Sequence, residues 1–172
     1  HLFVWAWDVD KDAADFLAVV DVDRRSATYG QVVRTLPAQG GRGAHHTEYE
    51  MPTSQLFANS FETGHTFVFN LSDAVHPRLI SDFGDAGPYS HPHSFARTPR
   101  GTVLATYQGL AADHNATGGL VELDDQGRML RAASAANLVD RDVRPYSLAV
   151  VPQLDRVVTT SADMHGIKVG RS

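Results

Sequence analysis

The sequence contains no cysteine. Disulfides, thiolate metal ligands and a cysteine nucleophile are thereby excluded, and any metal has to be held by nitrogen and oxygen donors. No run of Lys or Arg is present that could track phosphates, and the net charge of −5 is spread along the chain, so nucleic acid is not an expected partner. No apolar run approaches the roughly 20 residues that a membrane-spanning helix requires. A phosphate-cradling glycine loop, a nucleophile elbow and a Ser/His/Asp order are also missing. The first residue is His1 rather than Met, which leaves localisation open: periplasmic if a signal peptide preceded His1, cytoplasmic otherwise.

What is present is the material of one β-rich domain. The chain has 172 residues, 42% of them apolar, enough for a real core. Segments of five to eight residues rich in Val, Phe, Leu and Thr recur from end to end between Gly, Pro, Asp and Asn clusters, the pattern of an all-β chain. Only Ala132–Leu138 reads as helical, and it is short. Three markers recur together. A ring is followed six residues later by proline at His46 and Pro52, at His93 and Pro99, and at Tyr146 and Pro152. A strand ends in alternating apolar and polar residues at Val20-Asp21-Val22-Asp23, Phe69-Asn70-Leu71-Ser72 and Val121-Glu122-Leu123-Asp124. A further strand precedes each, as in Leu2–Trp7, Gln55–Ser60, Thr102–Tyr107 and Arg156–Ser161.

The repeating unit is thus about 47 to 53 residues with four strands, the size of a β-propeller blade. The expected blades are 2–36, without an innermost strand, then 45–83, 91–133, and 145–172, which stops where its third strand should start. An open ring leaves apolar blade faces and strand edges in water, so the sequence reads as about three and a half blades of a larger propeller.

The same parse sorts the nine histidines. His45, His46, His91 and His93 fall in blade-joining segments or at inner-strand starts, His114 and His165 in loops between second and third strands, and His65 opens a third strand, so all seven share one face of the disc. His76 and His1 fall on the other. His46 and His93 are expected to begin inner strands of adjacent blades and to approach one another at the channel mouth. Neutral imidazoles converging there suit copper, iron or zinc, or else hydrogen-bond the backbone of a polar channel; the residues alone leave both open. His45 adjoins His46, and strand neighbours point to opposite faces, so one of the two is expected to be a ligand and the other to pack or support it. His91 lies two residues before His93 across Pro92 and ranks below it. His165 sits in Asp163-Met164-His165-Gly166 over the channel, balanced between a ligand and a solvated loop residue; for His114 the solvated reading is favoured. Glu48, Glu50 and Glu62 are the nearest carboxylates in sequence, with blade packing or solvation favoured over general-base work. Asn115-Ala116-Thr117 matches a glycosylation acceptor, meaningful only in a secretory compartment.

Asp15–Asp23, Ser26-Ala27-Thr28-Tyr29-Gly30-Gln31-Val32-Val33 and Ala44-His45-His46-Thr47 together resemble the opening of the selenium-binding protein family. Pro92-His93-Ser94-Phe95-Ala96, Arg144-Pro145-Tyr146-Ser147-Leu148 and Thr160–Gly166 extend the likeness over nearly the whole chain. The resemblance implies a seven-bladed propeller, a copper site of channel-facing histidines, and oxidation of a small thiol, methanethiol in bacterial members, with oxygen and water to formaldehyde, hydrogen sulfide and hydrogen peroxide. Carried over by position, His46 and His93 match the family's histidines, followed by His45 and His165. Animal members have a cysteine where this chain has Gly30, so selenium held by that thiol is not available here. The competing readings are a non-catalytic metal or chalcogen carrier and a lactonase-like hydrolase propeller, the last needing a carboxylate-rich calcium or zinc site.

Overall fold

The computed structural model describes residues 1–10, 12–136 and 142–164, and they form an all-β chain. Thirteen strands run in order: β1 Leu2–Ala6, β2 Phe16–Val20, β3 Val32–Pro37, β4 Ala44–Thr47, β5 Gln55–Ser60, β6 His65–Asn70, β7 Arg78–Phe83, β8 Tyr89–Arg97, β9 Val103–Leu110, β10 Gly119–Leu123, β11 Met129–Ser134, β12 Pro145–Val151 and β13 Arg156–Ser161. They pair only with chain neighbours, giving antiparallel sheets β1-β2-β3, β4-β5-β6-β7, β8-β9-β10-β11 and β12-β13. Each four-stranded meander is one propeller blade. The stretch read as helical is corrected: Ala132, Ala133 and Ser134 lie in β11, where pairing with Val121, Leu120 and Gly119 of β10 overrides local propensity. The rest of that stretch reaches beyond Ala136, outside the described residues.

The middle strands are apolar on both sides because each blade is packed between two others. Along β5 and β6, Leu56, Ala58, Phe67 and Phe69 join Leu17 of the preceding sheet in one core. The intervening Phe57 and Val68 face the other way and join Phe95, Val103, Ala105, Tyr107, Val121 and Leu123 of the next. A period of two thus sends alternate side chains into two different inter-blade cores. Trp5 fills the first of these, with its ring centroid 5.6 Å from those of Phe67 and Phe69.

A buried ion pair joins the two four-stranded blades at the end of the inner strands opposite the histidines. Arg97, at the end of β8, donates through Nε to Glu48 Oε2 at 2.7 Å, and its other nitrogens reach Glu48 Oε1, Asp125 and the Gln55 carbonyl. The Arg97 side chain is 4% exposed and that of Glu48 fully buried, so neither partner has water to fall back on. Glu48 is accordingly a packing residue of the blade interface. Arg97→Ala is expected to cost about 3–5 kcal/mol because it strands a buried carboxylate. Arg25→Ala, removing a side chain 92% exposed and 3.4 Å from Asp23, should cost under about 0.5 kcal/mol. Chemical denaturation of both variants checks this, and equal effects would contradict it.

Candidate metal centre

The inner strands β4, β8 and β12 share a defect. In each, two residues oppose a single residue of the neighbouring strand: His45-His46 oppose Asn59 between the pairs Ala44↔Ser60 and Thr47↔Ala58. His93-Ser94 likewise oppose Thr106, between Pro92↔Tyr107 and Phe95↔Ala105. Tyr146-Ser147 oppose Thr160, between Pro145↔Ser161 and Leu148↔Thr159. These are β-bulges, which re-aim side chains by breaking the strict alternation of a strand. The register revises the expected correspondence between blades. His45, His93 and Tyr146 occupy the same bulge position, whereas His46 corresponds to Ser94 and Ser147. The inner strands also start earlier than the ring-to-proline spacing suggests, at Ala44 and Tyr89.

The bulge brings adjacent histidines into one site. One ligand nitrogen from each of His45, His46 and His93 lies within 4.8 Å of the others, the one such group of three among the described residues. The ring centroids are 4.2 Å apart for His45 and His46, 4.9 Å for His45 and His93, and 4.5 Å for His46 and His93. The expectation that His45 and His46 point to opposite faces fails here, since alternation does not survive a bulge.

His93 is fully buried at the bottom of the group, His46 is half-buried and His45 is exposed at the rim. The Tyr146 ring covers His93 at 3.8 Å between centroids, and Phe61 stands 5.7 Å from His45 and 5.9 Å from His93. His93 Nδ1 lies 3.0 Å from the Ser94 hydroxyl, which can accept, and 3.1 Å from the Tyr146 carbonyl oxygen, which only accepts; with Nδ1 donating to them, Nε2 keeps its lone pair. That Nε2 lies 3.1 Å from His45 Nε2. His46 Nε2 is buried with no hydrogen-bond partner. Burial, reinforced by the neighbouring imidazoles, pushes His93 down to about 3 and His46 down to about 4, and enclosure of its ring lowers His45 too. All three rings are therefore neutral at ordinary pH and offer lone pairs.

Such a donor set fits a nitrogen-seeking transition metal. Two imidazole nitrogens on one ion, each about 2.0–2.1 Å from it and at 90–109° to one another, stand about 2.9–3.4 Å apart. The His45 to His93 separation falls in that range, and the orphaned His46 Nε2 would be the third donor.

The other described histidines lie outside this group. His91 adopts a left-handed backbone, φ 58°, rare outside glycine. Its ring meets that of His114 at 4.5 Å, and Phe61, 6.0 Å from His91, also borders the three-histidine group. His65 pairs with Asp82 at 2.7 Å, and His76 with Asp73 in an exposed turn. His165 lies outside the described residues. Sequence reasoning missed Asn59, Phe61 and Tyr146 as neighbours of the site. Tyr146 carried a signal, as the ring that replaces histidine in the third repeat.

No family model matches the chain. It is 30% identical over 167 residues to the methanethiol oxidase of Hyphomicrobium, a match covering 94% of this chain and 38% of that protein. With the methanethiol oxidase of Ruegeria pomeroyi it shares 31% over 133 residues, 73% of this chain and 30% of that protein. The structure overlays a hypothetical selenium-binding protein from Sulfolobus tokodaii with a TM-score of 0.57 at 19% identity, covering 69% of this chain and 30% of that one. These matches bear out the resemblance of the chain to the selenium-binding protein family. A luciferin-regenerating enzyme overlays with a TM-score of 0.55 at 11% identity, over 91% of this chain and 48% of that one, a likeness of fold alone. The chain spans about a third of the length of the curated relatives it matches. If the three histidines hold a metal, His46→Ala or His93→Ala should lower its affinity by at least about 10-fold, judging from the 10–100-fold typical of losing a supporting residue. His76→Ala should change nothing; titration with the metal, monitored against a competing chelator, reads all three.

Proposed function

We propose that the protein takes part in copper-dependent oxidation of a small thiol such as methanethiol, and that His45, His46 and His93 hold the copper. The observation that carries this reading is the convergence of three neutral imidazoles, without thiolate or carboxylate, on a point bordered by Phe61 and Tyr146. Imidazoles suit copper, zinc, iron and nickel; among divalent ions copper binds such sites tightest, and zinc has no redox chemistry to offer. Copper, when bound, supplies electron transfer with oxygen and a soft position for a thiolate sulfur. Two relatives bear the name methanethiol oxidase.

The overall conversion balances as methanethiol, oxygen and water giving formaldehyde, hydrogen sulfide and hydrogen peroxide: the carbon loses two electrons and oxygen gains them. The chain's own residues prepare for it in three ways. The Tyr146 carbonyl fixes the His93 tautomer, so that Nε2 rather than Nδ1 is bare. The aromatic rings of Phe61 and Tyr146 pack against His93, whose burial also keeps its imidazole unprotonated. His45, at the exposed rim, leaves the site open to a small substrate from the channel side.

Metal analysis of the purified protein is expected to find copper. Adding methanethiol in the presence of oxygen should then release formaldehyde and peroxide in equal amounts. Bound copper without turnover would assign the site to metal carriage instead, and failure to bind copper would end the proposal.

A further inference from the structure

The bulges that create the site leave backbone amides without ladder partners, and a side chain of the second strand takes each of them. The His46 N–H donates to Asn59 Oδ1 at 2.6 Å. One blade on, the Ser94 N–H donates to Thr106 Oγ1 at 3.0 Å, and in the next the Ser147 N–H donates to Thr160 Oγ1 at 3.1 Å. Two of these side chains then reach across to the following blade. Thr106 donates its hydroxyl to the Tyr146 carbonyl at 2.6 Å. Asn59 Nδ2 donates to the Pro92 carbonyl at 2.6 Å and to the His93 carbonyl at 3.2 Å.

Asn59 differs from the two threonines in what it joins. Its amide has a separate acceptor and donor end, so one fully buried side chain grips the backbone of both histidine-bearing bulges at once. The Asn59 carbonyl is in turn pinned by Trp5 Nε1 at 2.8 Å, tying it to the preceding blade.

We propose that Asn59 is the positioning residue of the metal centre: it sets the distance between the His45-His46 bulge and the His93 bulge, and so the spacing of the three donor nitrogens. The inference rests on the reading of those histidines as metal ligands. Asn59 itself touches neither metal nor substrate. A carboxylate at this position would face the Pro92 and His93 carbonyls with no N–H to give.

Three variants test it: Asn59→Ala, Asn59→Asp, and Thr102→Val as a control that removes a side-chain hydrogen bond, to Glu122 at 2.6 Å, at the Arg97 end of the blade. Copper affinity is measured by chelator competition and the number of coordinated nitrogens by electron paramagnetic resonance. Both Asn59 variants are expected to lose at least about 10-fold in affinity and to coordinate fewer nitrogens, with Thr102→Val within about twofold of the parent. Asn59→Ala leaves buried groups unpaired without adding charge and Asn59→Asp keeps the acceptor for His46, so the two perturb the fold differently, and circular dichroism identifies which of them is folded before its affinity is read. Parent-like affinity in a folded Asn59 variant would overturn the inference. If the parent itself binds no copper, the metal reading fails separately. The positioning role is then judged on a crystal structure of the metal-free Asn59→Asp protein, where an unchanged His45 to His93 separation of 3.1 Å would overturn it.

Discussion

A regular strand cannot aim two consecutive side chains at one point, and the candidate metal centre depends on escaping that limit. The escape is the bulge in β4, where His45 and His46 together face Asn59. The equivalent bulge in β8 turns His93 toward them from the neighbouring blade. Each bulge costs ladder hydrogen bonds in a buried place, so the defect persists only because polar side chains of β5 and β9 replace what the ladder lost. Asn59, Thr106 and Thr160 are therefore as much a part of the repeat as the apolar residues that fill the blade interfaces.

The electrostatics follow from the same packing. His93 is enclosed by Tyr146, Phe61 and its fellow histidines, which makes an imidazolium there costly and holds the ring neutral. A hydrogen bond to the Tyr146 carbonyl decides which nitrogen is left bare. Rigidity around this point comes from both sides: the inter-blade cores flank it, and the buried Arg97–Glu48 pair locks the far ends of the same blades. A site strung across a blade interface needs such support, because a small rotation of one blade on the next would part His93 from His45 and His46.

The all-β class and the propeller were legible in the sequence because period-two apolar segments and turn residues repeat at blade length, as in Gln55–Asn70 and Val103–Leu123. The convergence of His46 and His93 was also readable, from a ring six residues ahead of proline in successive units. Less was legible where one residue of register matters. Sequence spacing equated His46 with His93, whereas pairing equates His45 with His93, since the chain between ring and proline differs in how it is bulged. Alternation set His45 against His46 on opposite faces, and a bulge is invisible to alternation. Ala132–Ser134 read as helical because alanine favours helices, yet the edge of β10 was there to be paired. Asn59 left one trace that could have been followed: it sits at the same step of its strand as Thr106 and Thr160, a polar position common to the three segments.

The central claim is that imidazoles from two adjacent blades meet on one metal ion. X-ray absorption of the copper-loaded protein tests it most directly. The account predicts a first shell with about three nitrogens near 2.0 Å and the outer-shell scattering of imidazole rings. A shell without imidazole scattering, or one dominated by sulfur in the absence of substrate, would contradict it.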